Sequence, residues 1–122
     1  MAKLLIVDDE QDVREFAASF FRKRNIDVQT ACGGDDALSK IDIEHPQLVL
    51  LDIKMDGKDG IETLQCIKAK NKDIQVIMVT GKKPDEEEIY QKCIALGASD
   101  YIHKPLVMEE LERIVLSFLK KE

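Results

Sequence analysis

The chain has 122 residues, of which 44% are hydrophobic and 34% charged, and a formal net charge of −6. That is the size of one domain with enough apolar material for a packed core, so global disorder is excluded. The acidic balance argues against nucleic acid or an anionic membrane surface as a direct partner.

No apolar run approaches the roughly 18 residues needed to span a bilayer. The amino terminus turns acidic after a short apolar run, unlike a secretory signal. Three scattered cysteines, Cys32, Cys66 and Cys93, fit buried, reduced thiols in a cytoplasmic protein.

In chain order, the first apolar run is Lys3 to Val7, followed directly by Asp8 and Asp9. Val13, Phe16, Ala17, Phe20 and Phe21 then recur at i, i+3, i+4, i+7 and i+8, with Arg14, Glu15, Arg22 and Lys23 off the stripe. This predicts an amphipathic helix with its aromatic stripe in the core. A second run, Asp27 to Ala31, ends at Gly33-Gly34. The third, Gln47 to Leu51, is followed by Asp52; the fourth, Ile74 to Val79, by Thr80; the weaker fifth, Asp100 to His103, by Lys104. Val107, Leu111, Ile114, Val115 and Phe118 mark a last amphipathic helix, with Glu109 and Glu110 early and Lys120 and Lys121 late, matching the helix dipole. The strings LVLL and VIMV are apolar at every position, as in strands buried on both faces of a parallel sheet. Five successive βα units imply an α/β doubly wound parallel sheet with right-handed crossovers and helices on both faces. In such a sheet the functional crevice lies beyond the carboxyl ends of the strands.

Polar residues occupy four of those ends: Asp8-Asp9, Asp52, Thr80 and Lys104. If the first and third strands are neighbours, three carboxylates meet at one point, where like charges are costly without a counter-charge. Oxygen-only ligands of this kind suit Mg²⁺, which seeks phosphate. Lys104 and the Thr80 hydroxyl would face the same spot as charge and donor for phosphoryl oxygens. The fitting chemistry is phosphoryl transfer to a carboxylate, with Asp52 as nucleophile and Asp8-Asp9 as a metal pair. Taken alone, Asp8-Asp9 also suits a plain helix cap.

The strings LLIVDDE, LVLLDIKMDGKDG, VIMVTG and GASDYIHKP resemble the response-regulator receiver family of two-component signalling, in order and over essentially the whole chain. The resemblance implies a five-stranded, flavodoxin-like sheet of order 2-1-3-4-5 and one receiver domain over residues 1–122. It implies Asp52 as phosphoacceptor, and Asp9, Asp52 and the Lys54 backbone carbonyl as direct Mg²⁺ ligands, with Asp8 acting through water. Thr80 and Tyr101 match the switch pair and Lys104 the phosphate-binding lysine. The implied partners are a sensor histidine kinase or phosphotransfer protein and a downstream protein or linked output domain. Homodimerisation through the fourth helix, fifth strand and fifth helix is a further expectation.

Two features depart from the family pattern: Asp56 stands where a proline is usual, and the stretch GKKPDEEE after Thr80 is long. Lys54 and Lys82, each two residues beyond a strand-end site residue, are expected to exclude the hydrolytic water and lengthen the phosphoryl lifetime. Three other functions fit less well. An aspartyl phosphohydrolase would carry an acid where Lys54 stands. An FMN binder would carry a Ser-, Thr- or Gly-rich loop where Asp8-Asp9 stands. A phosphorylation-independent scaffold would not need Asp52, Thr80 and Lys104 together.

Overall fold

A computed structural model describes residues 3–53, 59–81, 86–104 and 106–119. Strands and helices alternate: β1 (Lys3–Val7), α1 (Gln11–Arg22), β2 (Asp27–Ala31), α2 (Gly34–Glu44), β3 (Leu48–Asp52), α3 (Gly60–Lys70), β4 (Gln75–Thr80), α4 (Glu86–Ala95), β5 (Asp100–His103) and α5 (Met108–Leu119). The five strands form one sheet in the order β2-β1-β3-β4-β5, parallel throughout. None of the described helices is long and apolar enough to cross a membrane.

The fully apolar runs are explained by two separate cores. Strand side chains alternate between faces. Leu5, Val7, Val49, Leu51, Val76 and Met78 pack with Ala37, Ile41, Leu64, Ile67 and Cys93 from α2, α3 and α4. Leu4, Ile6, Leu48, Leu50 and Ile77 pack on the other face with Ala17, Ala18 and Phe21 of α1 and Leu111, Val115 and Leu119 of α5. A central strand with helices on both sides has no solvent face, so it carries no polar alternation.

Two strands are shifted by one residue from the sequence-based boundaries, and the shift matters. Asp52 and Thr80 are the last residues of β3 and β4 rather than the residues after them. Asp52 pairs in register with Val79, and Thr80 with His103. The ladder continues beyond them through Ile53 N–H to Val79 O at 2.9 Å and Lys104 N–H to Thr80 O at 2.7 Å. Both polar side chains are therefore held by sheet backbone instead of a free loop.

The aromatic stripe of α1 does not lie wholly in the core as expected. Phe21 is buried, but Phe16 is 63% exposed. Phe16 borders an open cavity that Lys104, Leu106 and Met108 also line. Phe20, half-buried, meets Phe21 edge to face at 5.2 Å and lies under the Arg24 guanidinium at 3.6 Å. Val107 likewise lies outside α5 and is exposed. Of the three thiols expected in the core, only Cys93 is buried, and that burial pushes its pKa up against the opposing charge of Lys92; Cys66 is half-buried and Cys32 exposed.

Helix α3 starts against the end of β3. Asp59 caps it, its carboxylate accepting from Glu62 N–H at 2.8 Å, and Gly60 N–H donates to Ile53 O at 2.8 Å. A Cβ on Gly60 would stand 2.4 Å from Asp52 O and 2.5 Å from Ile53 Cα, both backbone atoms that cannot swing aside. Gly81 has open space around it. Gly60→Ala should therefore cost about 1–3 kcal/mol as an overpacking change, while Gly81→Ala stays within roughly 0.5 kcal/mol of wild type. Urea melts of the two variants check this; equal stabilities would show that α3 can shift off β3 freely.

Candidate functional site

The site forms where β1, β3 and β5 end. Asp8 leaves β1 with its N–H on Ala31 O at 3.2 Å, and its side chain accepts from Glu10 N–H at 2.9 Å, which turns the chain into α1. The cap of α1 is Glu10, with no side-chain capping bond, so the acid pair is not the helix cap it resembles in isolation. Arg14 donates to Asp8 O at 2.7 Å and ties the first turn of α1 back to this loop. Asp8 and Asp52 are each 5% exposed. Asp8, Asp9 and Asp52 offer carboxylate oxygens all within 4.8 Å of one another.

Lys104 reaches into this cluster from the end of β5. Its Nζ lies 3.1 Å from Asp52 Oδ2, 3.4 Å from Asp8 Oδ2 and 3.5 Å from Glu10 Oε1. Burial works to lower its pKa, but the hydrogen bond and charge of Asp52, with the charge of Asp8, outweigh burial and raise it. At an effective dielectric of about 20, like charges near 5 Å repel by roughly 3 kcal/mol per pair, and Lys104 offsets two carboxylates at once. Three carboxylates and one ammonium still leave formal negative charge unbalanced. Hard oxygen donors at this spacing fit a small divalent cation, which would neutralise the remainder.

Thr80 is 1% exposed, and its hydroxyl donates to Gly81 O at 2.9 Å. It stands one residue beyond Val79, the ladder partner of Asp52. Tyr101 pairs with Met78 on the adjacent strand, so by strand alternation Met78, Thr80, Tyr101 and His103 share one sheet face. That is the face of α2, α3 and α4, into whose core Tyr101 packs.

The structure thus brings together Asp8, Asp9, Asp52 and Lys104, and sets Thr80 and Tyr101 on neighbouring strands beside them. Lys54 and Lys82 lie outside the described residues. Sequence reasoning missed Glu10, Arg14 and Gly60. Glu10 adjoins the acid pair, a hint that was available. Arg14 and Gly60 act through backbone contacts that no local pattern announces.

An open cavity of about 620 Å³ adjoins the cluster, lined by Asp12, Val13, Phe16, Lys104, Leu106 and Met108.

The family model described as "Response regulator receiver domain" matches residues 4–116. A probable transcriptional regulator ycf27 from Cyanophora paradoxa is 36% identical over 119 residues, 98% of this chain and 48% of that protein. The chain thus spans about half the length of this curated relative. Among solved structures, a CheY-like response regulator receiver domain protein from Methanospirillum hungatei JF-1 superposes with a TM-score of 0.91 at 27% identity, covering 99% of this chain and 95% of that one. The receiver domain of NtrX from Brucella abortus gives 0.88 at 32% identity, covering 98% and 99%. Longer NtrX chains match over 27% of their length.

The raised pKa of Lys104 carries a sign. A cation whose pKa is raised on folding contributes stability fully below its unfolded value, here an ordinary 10.5, and loses it as pH rises through the folded value. In metal-free buffer, Lys104→Met should be less stable than wild type at neutral pH, with the gap constant there and closing above the lysine range. Urea melts across a pH series measure it. A gap that persists undiminished above the lysine range would refute the pairing.

Proposed function

Because the chain belongs to the response regulator receiver domain family, we propose that it is a phosphorylation-controlled switch whose phosphoacceptor is Asp52. The observation that carries this reading is the 3.1 Å contact of Lys104 Nζ with Asp52 Oδ2 inside a three-carboxylate cluster. Asp52 is central and held by the last rung of β3; Asp8 is engaged with its own turn.

The donor is a phosphohistidine of a sensor histidine kinase or phosphotransfer protein. An Asp52 carboxylate oxygen attacks phosphorus in line, the P–N bond breaks, and the imidazole leaves with the electron pair and takes a proton. The apolar cavity walls Val13, Phe16, Leu106 and Met108 give such a partner a surface beside Lys104, which contacts Asp52. Asp9, Asp52 and the Lys54 carbonyl, with Asp8 through water, would hold Mg²⁺, which when bound would offset charge on the transferring group. Lys104 then moves its ammonium from carboxylate to phosphoryl oxygen, and the Thr80 hydroxyl exchanges the Gly81 carbonyl for another. Tyr101 turns into the space that Thr80 leaves, and the face of α4, β5 and α5 changes its partners, with homodimerisation among the possible outputs. The protein is a cytoplasmic phosphoacceptor that promotes only its own phosphorylation and dephosphorylation. It passes the signal to a downstream protein or linked output domain and makes no direct contact with nucleic acid. The greater length of the curated relative and of the NtrX chains supports a linked output domain. Residues 1–122 act as a single receiver unit.

Incubation with acetyl phosphate and Mg²⁺, followed by peptide mass spectrometry, should place one adduct on Asp52. Asp52→Asn should abolish it, and Asp9→Ala should raise the Mg²⁺ requirement by about tenfold or more, as loss of a metal-supporting carboxylate does. An adduct elsewhere, or an undiminished yield in Asp52→Asn, refutes the assignment.

The long phosphoryl lifetime rests on the places of Lys54 and Lys82 in the sequence. A dephosphorylation time course should show faster loss in the Lys54→Asn/Lys82→Glu double variant than in wild type; equal rates would remove the two lysines from the explanation.

A further inference from the structure

The chain has two tyrosines and no tryptophan, and its two tyrosine rings touch. Tyr90 of α4 meets Tyr101 of β5 edge to face, with centroids 5.2 Å apart and planes at 89°. Tyr101 also meets His103 edge to face, at 5.5 Å and 76°. His103 is the ladder partner of Thr80. A row of three rings therefore runs from the rung that holds Thr80 out to the fourth helix.

What else holds α4 makes this contact significant. From residue 87 to 95, Cys93 is buried and Ile89 half-buried, while Glu87, Glu88, Tyr90, Gln91, Lys92, Ile94 and Ala95 are exposed. By contrast, α1 and α5 each bury three side chains. A helix with so few buried anchors depends more on each side contact to fix its place on the sheet. The Tyr101 hydroxyl oxygen is buried and its ring packs at the edge of the core, so the Tyr90 contact belongs to the inward-facing arrangement of Tyr101.

We propose that Tyr90 is a positioning residue of the switch: its ring holds Tyr101 inward and α4 in place in the resting state, and the contact breaks when Tyr101 turns. This rests on the reading of the chain as an Asp52 phospho-switch. An edge-to-face pair biases an equilibrium between two ring positions by roughly two- to tenfold. A contact made only in the resting state lowers the apparent affinity of any ligand that selects the other state by the same factor.

The probe is beryllofluoride with Mg²⁺, a mimic of a phosphoryl group on a carboxylate. In wild type, the near-ultraviolet circular dichroism of the coupled tyrosine pair should collapse on saturation. In calorimetric titrations, Tyr90→Ala should bind the mimic about two- to tenfold more tightly than wild type. Tyr90→Phe, which keeps the ring, should bind as wild type does. In a Tyr101→Ala background, Tyr90→Ala should change nothing further. A residue with only a packing role would lower the melting temperature and leave the affinity alone. Equal affinity in wild type and Tyr90→Ala, or a tyrosine signal unmoved at saturation, overturns the inference. Failure of wild type to bind the mimic, or equal binding by Asp52→Asn, instead overturns the phospho-switch reading itself.

Discussion

Three carboxylates crowded at the ends of two adjacent strands are the constraint on which the rest of this structure depends. Their mutual repulsion opposes folding, and neither Asp8 nor Asp52 can escape into solvent. One ammonium, brought from the edge strand β5, lies within 3.5 Å of Asp8, Asp52 and Glu10. Such a site is poised rather than settled. It gathers carboxylates that favour a cation, and the Lys104 ammonium that pairs with two of them is on a flexible stem that can transfer to a new anion.

The two faces of the sheet divide the work. By strand alternation, Asp52 belongs with Leu48 and Leu50 on the face covered by α1 and α5, while Thr80 and Tyr101 lie on the face covered by α2, α3 and α4. A chemical change at Asp52 can affect the second face only around the strand ends, where the Asp52–Val79 rung, Thr80 and the Lys104–Thr80 backbone bond are contiguous. The close seat of Gly60 on the Asp52 carbonyl makes the same edge stiff on the α3 side. Among residues 87–95 the fourth helix buries only Cys93, where α1 and α5 each bury three side chains.

Stability and openness are distributed unequally for a physical reason. Central strands reach nearly complete burial because helices cover both faces, so their residues serve the core, except for Asp52 and Thr80 at the strand ends. Beyond the carboxyl edge there is no sheet to pack on. Phe16 remains exposed and borders the cavity that Lys104 also lines. Exposed apolar groups beside a charged crevice are poor for solubility and good for a partner that must bring its reacting group to that crevice.

Most of the fold and the main site residues were legible in the sequence. Continuous apolar runs of strand length, separated by segments of helical period, require a parallel sheet with both faces covered. Polar residues at four run ends then fall in the one crevice such a sheet has. Burial and periodicity are local properties, and they determine those features residue by residue. Tertiary structure decided what depends on contacts between distant segments. It carried Asp52 and Thr80 into the strands, because ladder partners on β4 and β5 hold them. It left Phe16 exposed at the rim of a cavity, where a periodic stripe alone would bury it. It made Gly60 and Arg14 matter through backbone atoms of other elements, and it set Tyr90 against Tyr101. Strand order in particular cannot be read from local pattern, because it depends on which strands exchange hydrogen bonds across the chain.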